Sequence, residues 1–197
     1  MTVVQPGGTL GILGGGQLGR MTAMVARRMG YRVITLEPDP NCPTGQVADE
    51  QVVAPYTDLE AARRLASRAD VLTLEFENMP ADVVEALERE TVVRPGARAL
   101  RLAQDRFLEK HFLEGIGIPV PRFARVEDEA ELAEAVARIG LPAVLKTTTL
   151  GYDGKGQRVL QTHQDALPAF IALGRRVCIL EQYIPFELEL SVVVARD

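Results

Sequence analysis

The chain has 197 residues, of which 47% are hydrophobic and 25% are charged, and its formal net charge is -5. This composition is typical of a globular protein with one large or two small domains, and it excludes the disordered class. The negative charge excludes a general attraction for nucleic acid or for anionic membranes, so an anionic ligand must be held by local groups. The first residues lack a signal-peptide pattern and no apolar run approaches the ~20 residues of a membrane span, so we expect a cytoplasmic protein.

The first hundred residues alternate between strand and helix patterns. Short apolar runs predict the strands, and apolar residues with helical spacing predict the helices between them. Such alternation is typical of a doubly wound parallel sheet in an α/β domain. The predicted strands span 9–13, 32–36, 52–53, 71–74 and 92–93, and the predicted helices span 17–29, 59–67 and 81–89.

The breaker run Arg94-Pro95-Gly96 ends this series, and two helical stretches follow at 97–104 and 106–114. We place the domain boundary after Gln104. The following region is predicted to be an α+β module, because two of its strands are joined directly across a loop and therefore form an antiparallel hairpin. Its predicted strands span 122–126, 143–146, 157–160 and 177–182, and its predicted helices span 127–139 and 165–173.

The last segment, 187–195, has the apolar pattern of a strand but no partner strand after it. An unpaired apolar strand is an unusual terminus. We therefore expect residues 185–197 to begin a further lobe, and the chain to be a fragment of a longer protein.

The first glycine-rich loop, Gly14 to Gly19, has the pattern Gly-x-Gly-x-x-Gly between a strand and a helix, where N–H groups and the helix dipole can hold a phosphate. Glu37 ends the second strand, where a dinucleotide-binding fold has its ribose carboxylate. A nicotinamide- or flavin-dependent oxidoreductase is therefore an alternative, as are glycines that serve only helix packing. Glu75 follows the strand 71–74 at its carboxyl end, which indicates a place near this loop; a helix cap at Asn78 is the simpler interpretation of that segment.

The second glycine-rich loop, Gly151 to Gln157, lies between two predicted strands. It is not a Walker A loop, because Lys155 is followed by Gly156 rather than by Ser or Thr. A hairpin tip of this composition can close over phosphates, although a plain hairpin connection is the alternative. Lys146 stands at the end of the preceding strand, where its ammonium suits a phosphate unless it is merely solvated.

Two further segments could meet a nucleotide. Pro185 breaks the strand ladder and leaves backbone groups of Glu181 to Ile184 free to pair with an adenine edge. Glu187 and Glu189 share one face of the predicted last strand, so one of them could reach a ribose; a solvated acidic face is the alternative. The two cysteines and two histidines have no metal-ligand spacing, so we expect buried thiols and no metal site in this chain.

Six strings resemble, in order and spacing, the carboxyaminoimidazole ribonucleotide synthase family of ATP-grasp ligases. The strings at 11–20 and 151–157 are together the most specific, and they distinguish this family from glycinamide ribonucleotide ligases and biotin carboxylases. The strings span residues 11–20, 74–78, 104–106, 145–147, 151–157 and 189–192.

The resemblance implies a carbon–nitrogen ligase of purine biosynthesis. ATP would activate bicarbonate as carboxyphosphate, and the exocyclic amine of 5-aminoimidazole ribonucleotide would then take up the carboxyl group. The implied domains are a pre-ATP-grasp Rossmann-like domain at 1–104, the ATP-grasp lid subdomain at 105–184 and the start of the C-terminal lobe at 185–197. That lobe would supply the Mg²⁺ ligands and the basic residues for bicarbonate, so the 197 residues alone are expected to lack ATP turnover. A homodimer is implied for the full-length form.

The same resemblance implies the roles of individual residues. Tyr152 and Asp153 would face the imidazole, with Asp153 the candidate for proton transfer from the amine, and Lys155 would contact the ATP phosphates. The ribonucleotide would be held by Gly16, Gln17, Leu18 and Glu75. ATP would be bound by Arg106, Lys146, Gly151, Tyr152, Asp153, Gly154, Lys155, Gly156, Gln157, Glu181, Gln182, Tyr183, Ile184 and Glu189.

Overall fold

A computed structural model of the chain describes residues 3–151 and 156–194. The chain forms two compact units, Met1–Gln104 and Asp105–Asp197, and each has its own buried apolar core. Within the described ranges, none of the helices is both long enough and apolar enough to cross a membrane.

The first unit is an α/β layer structure in which helices pack against one parallel sheet. Its strands Thr9–Leu13 and Arg32–Leu36 are largely buried, as the apolar runs predicted. Asp58 is the N-cap of the helix Leu59–Ala66, and its carboxylate accepts a hydrogen bond from the Ala61 N–H at 2.9 Å. The elements are β1 (Thr9–Leu13), α1 (Gln17–Arg28), β2 (Arg32–Leu36), β3 (Glu50–Val52), α2 (Leu59–Ala66), β4 (Val71–Leu74), α3 (Ala81–Glu88), β5 (Val93–Arg94) and α4 (Ala97–Gln104).

The order of the parallel strands is β3-β2-β1-β4-β5, so the chain reverses its direction of winding between β1 and β4. The carboxyl ends of these two neighbouring strands form the switch-point crevice in which doubly wound sheets bind ligands. The first glycine loop follows β1 and Glu75 follows β4. The fold therefore brings both predicted features to one crevice.

The second unit is an α+β structure with a fully antiparallel sheet in the order β6-β9-β7-β8. The predicted hairpin is present as β7 and β8, with Lys146 opposite Gln157. The elements are α5 (Arg106–Gly115), β6 (Phe123–Val126), α6 (Glu129–Ile139), β7 (Ala143–Thr147), β8 (Gln157–Leu160), a 3-10 turn (His163–Asp165), α7 (Ala166–Ala172) and β9 (Cys178–Gln182).

The two faces of this sheet have different roles. Leu145, Leu160 and Leu180 point to one face and pack in the core with α6 and α7. Because side chains alternate along a strand, Lys146 and Glu181 point to the opposite face. Helix α5 lies against that opposite face, where the Phe107 ring meets the Phe123 ring of β6 at 5.7 Å between centroids. A cation-bearing helix therefore covers the polar face of the sheet.

Two predictions about local structure are wrong. The described residues 187–194 form no strand and are exposed, although their apolar pattern predicted one. A strand is held by hydrogen bonds to a neighbour, and residues 187–194 have no strand beside them in the described parts of the chain. Asn78 does not cap a helix, because α3 begins after Pro80 and has no side-chain cap.

Both cysteine thiols are buried and free, as predicted. Burial raises the pKa of Cys178 to about 11 and is also the main cause of a raised pKa at Cys42. At pH 8 the thiolate fraction of Cys178 is then about a hundredfold below that of an ordinary thiol, so reaction should be slow.

We expect Ellman's reagent at pH 8 to titrate neither thiol of the folded protein within minutes, and to titrate both after unfolding in guanidinium chloride. Because deprotonation is penalised only in the folded state, stability should fall as the pH rises from about 9 through 11. Rapid reaction of one full equivalent with the folded protein would contradict the burial of these residues.

Candidate functional site

The first glycine loop packs directly against the glutamate that follows β4. Gly14 has φ of 121°, and a side chain there would place its Cβ 2.6 Å from the Glu75 Cβ. A Cβ on Gly16 would lie well inside van der Waals contact with a Glu75 carboxylate oxygen. Both positions therefore need glycine for the close approach of the loop to Glu75.

The Glu75 carboxylate accepts two hydrogen bonds from this loop, from the Gly16 N–H at 2.5 Å and from the Gly19 N–H at 3.2 Å. Gly16 is the N-cap of α1, so the carboxylate sits at the positive end of the helix dipole. We call the loop Gly14 to Gly19 together with Glu75 the Glu75 site. Two of the N–H groups that the sequence offered to a phosphate, those of Gly16 and Gly19, are therefore already bound to a carboxylate.

A carboxylate held in this way favours a different ligand group. A phosphate at the same N–H groups would place a second negative charge beside Glu75, which is unfavourable. Hydroxyl groups, in contrast, can donate to the remaining lone pairs of the carboxylate. Gln17 and Leu18 lie in the exposed first turn of α1 next to it. The Glu75 site therefore suits the hydroxyls of a ribose better than its phosphate.

Glu37 has its own partners at the end of β2. The Tyr56 hydroxyl donates to one carboxylate oxygen, and the Asp39 N–H donates to the other at 3.3 Å. Burial, and then the hydrogen bond and charge of Glu37, raise the pKa of Tyr56. Glu37 is thus part of a packed network next to Gly15. A Cβ added to Gly15 would clash with the Glu37 side chain.

In the second unit, Arg106 fixes the start of the second glycine loop. Its guanidinium donates to the Thr147 carbonyl at 3.0 Å and to the Gly151 carbonyl. The far end of the loop is tied to the same strand, because the Thr147 N–H donates to the Gly156 carbonyl at 2.9 Å. Both ends of the loop are therefore anchored. The predicted residues Tyr152, Asp153, Gly154 and Lys155 lie outside the described residues.

Three charged side chains meet on the polar face of the sheet, beside the last pair of the β7–β8 ladder, and we call Lys110, Lys146 and Glu181 the Glu181 cluster. Glu181 is only 4% exposed. Its Oε2 accepts a hydrogen bond from the Lys146 ammonium at 2.9 Å, and the Lys110 ammonium lies 3.6 Å from the same oxygen. Its Oε1 is buried and has no hydrogen-bond partner among the described residues. The cluster therefore has an unused buried acceptor beside two cations.

The remaining residues that were predicted to bind ATP differ in how well their positions suit a nucleotide. The N–H groups of Gln182 and Tyr183 already donate to the carbonyls of Arg122 and Pro142, at 2.8 and 3.2 Å. The segment 181–184 thus offers fewer free backbone groups than Pro185 alone led us to expect. Gln157 is exposed at the start of β8, and Glu189 lies in the exposed segment that forms no strand. The structure does not bring Glu189 into the Glu181 cluster.

Sequence reasoning missed Lys110. It lies four residues after Arg106, so both cations project from the same face of α5. That spacing was visible in the sequence, but its partner Glu181 is 71 residues away. Among the described residues there is no group of three His, Cys, Asp or Glu side chains that could hold a metal ion.

A parallel unit with a glycine loop at its switch point is followed by an antiparallel unit in which a lysine of a glycine-rich hairpin pairs with a buried glutamate. This combination defines an ATP-grasp protein. Two family models match accordingly: the ribonucleotide synthetase preATP-grasp domain over residues 8–104, and the ATP-grasp domain over residues 111–197. The predicted fold class is confirmed.

Individual relatives define the family. The N5-carboxyaminoimidazole ribonucleotide synthase of Brucella melitensis is 46% identical over all of this chain and 55% of its own length, and that of Bacillus subtilis is 42% identical over 99% and 51%. The synthase of Aspergillus clavatus, solved with ADP and 5-aminoimidazole ribonucleotide, matches with a TM-score of 0.81 at 30% identity, over 92% of this chain and 48% of that one.

The chain therefore belongs to the N5-carboxyaminoimidazole ribonucleotide synthase family, as its six strings predicted. It spans about half the length of the curated relatives that it matches. This membership overturns the oxidoreductase alternative, and Glu37 needs no role at a dinucleotide.

Proposed function

We propose that the protein carrying this chain is an ATP-dependent carbon–nitrogen ligase that carboxylates 5-aminoimidazole ribonucleotide with bicarbonate in purine biosynthesis. Family membership supports the activity, and a relative solved with ADP and this ribonucleotide supports the substrates. The Glu181 cluster is the structural observation that carries the proposal, because it brings two cations and a buried acceptor to the strand end from which the loop assigned to ATP begins.

The proposed reaction has two steps. A bicarbonate oxygen attacks the terminal phosphorus of ATP, and the bond to the bridging oxygen breaks, which releases ADP and forms carboxyphosphate. The exocyclic amine of the ribonucleotide then attacks the carboxyl carbon, phosphate leaves, and the amine loses a proton. Mg²⁺ would neutralise charge on the phosphates. The described residues offer no cluster for this ion, so we assign none of them to it.

In the second unit, we assign ATP to the polar face of the sheet. Lys146 has the compact charge that suits a phosphate, and Arg106 holds the loop start in place. The buried Oε1 of Glu181 needs a donor, and the amine of adenine can supply one. A guanine base would present an acceptor at the matching position, so this oxygen would also favour ATP over GTP.

In the first unit, we assign the ribonucleotide to the Glu75 site. Its carboxylate would accept hydrogen bonds from the ribose hydroxyls while the N–H groups of Gly16 and Gly19 keep it in place. Gln17 and Leu18 would complete the contact from the first turn of α1. The phosphate of the ribonucleotide would then lie away from Glu75.

Substitution of Gly16 by Ala should raise the KM for the ribonucleotide by about tenfold or more, because its Cβ would push the Glu75 carboxylate off the loop. The KM for ATP should change by less than about twofold, since this residue is not part of the ATP site. Steady-state kinetics with each substrate varied in turn would measure both constants.

Gly115→Ala is the matched control, because a Cβ at Gly115 would meet no atom within 4 Å. It should leave both constants unchanged. Equal increases for the two substrates in Gly16→Ala would show that the loop only supports the fold.

ADP release tests the proposed activity. With ATP, ribonucleotide and bicarbonate all present, the natural protein that carries this sequence should release ADP continuously. Omission of either the ribonucleotide or bicarbonate should reduce the rate to background. A rate that is indifferent to the ribonucleotide would overturn the proposal.

We also propose that this protein forms a homodimer in the cytoplasm, as the family resemblance implies. Sedimentation equilibrium of the natural protein should give twice the mass of one chain. A monomer across the micromolar range would argue against the dimer without affecting the proposed reaction.

A further inference from the structure

Lys110 is one of only three lysines in a chain with nineteen arginines, and it is the member of the Glu181 cluster to which no contact with a substrate is assigned. Its side chain is 19% exposed, and it reaches from α5 to Glu181, across from the strand that carries Lys146. The Lys110 ammonium is therefore paired with a nearly buried carboxylate instead of being fully hydrated.

Glu181 presents a difficulty for ATP binding by Lys146. In the described structure Lys146 is hydrogen-bonded to Glu181, so its ammonium is not fully available to a phosphate. If Lys146 moved to a ligand and no other cation lay beside Glu181, the negative charge of this residue, which is only 4% exposed, would be left without a partner. Leaving a buried charge unpaired is strongly unfavourable. With only the Lys146–Glu181 pair present, nucleotide binding would thus be disfavoured.

Lys110 removes this difficulty. It lies 3.6 Å from the same Oε2 that Lys146 contacts at 2.9 Å, close enough for an ion pair but beyond a hydrogen bond. A small movement of its flexible side chain would replace Lys146 as the main partner of Glu181. Two lysines on one oxygen therefore allow one of them to be shared with a ligand.

We infer that Lys110 is a positioning residue: it neutralises Glu181 so that Lys146 is available to the phosphates of ATP. This inference rests on the proposed function, because it assigns ATP to the Glu181 cluster. Lys110 itself does not contact the reacting atoms. Its place on α5, one helical turn after Arg106, means that one helix both anchors the loop start and sets the charge of the cluster.

Lys110→Met should weaken binding of Mg-ATP to the natural protein by about tenfold, within the range for coupled residues in one ion-pair network. Isothermal titration would measure the affinity. The turnover number and the KM for the ribonucleotide should stay within about twofold, and Lys110→Arg should restore ATP binding to within about threefold, since it keeps the charge.

A double-mutant cycle separates this role from general support of the fold. With Glu181 replaced (Glu181→Gln), no carboxylate remains to capture Lys146, so adding Lys110→Met should change ATP affinity by less than about twofold. A loss of the same factor in both backgrounds would overturn the inference, as would unchanged ATP binding in Lys110→Met alone. If the unsubstituted protein binds no Mg-ATP, the proposed function fails and this inference fails with it.

Discussion

Replacement of Asp153 by Asn should lower turnover by roughly 10² to 10⁴, the usual contribution of a general base. Asn keeps the size and polarity of the side chain but cannot accept the proton that the amine loses when it attacks the carboxyl carbon. The residue is assigned from the family resemblance, and it lies in a loop that is held at Gly151 by Arg106 and at Gly156 by Thr147. Stopped assays of ADP release at saturating substrates would measure the change.

Two observations would complete this test. The affinity for ATP should remain within about twofold in Asp153→Asn, because phosphate binding does not need a base. Near-normal turnover would show that Asp153 takes no proton and that the loop is only a hairpin connection. Asp82→Asn is a useful control, since Asp82 is an exposed partner of Arg101 in the first unit and should be neutral.

Replacement of Lys146 by Met should weaken ATP binding by about ten- to a hundredfold, since a charge-assisted hydrogen bond is worth roughly 1.5 to 3 kcal/mol. The KM for the ribonucleotide should change little. The free energy of unfolding should also fall, because Glu181 loses its hydrogen-bonded cation. The fall should be smaller than the roughly 3 to 5 kcal/mol of a fully orphaned buried charge, because Lys110 remains beside Glu181.

Arg158→Met provides the matched control for Lys146→Met. Arg158 is a cation of the same hairpin, but it pairs with Leu145 and so projects from the opposite face of the sheet. Its loss should leave ATP affinity unchanged. Titration of both variants with ATP, and their denaturant unfolding curves, would show whether the effect belongs to the polar face or to positive charge on the hairpin in general.

The elements of both units could be predicted because their signals are local. The alternating apolar runs of the first unit and the directly joined strands β7 and β8 each carry their pattern within a few residues. The segment 187–194 shows the limit of such signals. Its apolar pattern is that of a strand, but the pattern does not supply the neighbouring strand that a ladder requires.

The candidate site could be predicted only in part, because its decisive contacts join distant residues. The sequence placed Glu75 at the right end of β4, but its contact with the N–H groups of Gly16 depends on β4 lying beside β1. The pairing of Lys110 with Glu181 likewise depends on how α5 packs across the sheet. Residue types and their spacing indicated the chemistry of the site, whereas the partner of each charged side chain could be identified only from the fold.

Oxygen-18 transfer from bicarbonate to phosphate tests the proposed ATP-dependent carboxylation most directly. If bicarbonate attacks ATP and the amine then displaces phosphate from carboxyphosphate, one bicarbonate oxygen leaves with each phosphate. With fully labelled bicarbonate, unlabelled water and the ribonucleotide present, mass spectrometry should find one heavy oxygen in each phosphate that is formed. Phosphate without label, formed at the same rate as ADP, would contradict the activation of bicarbonate and with it the function that we propose.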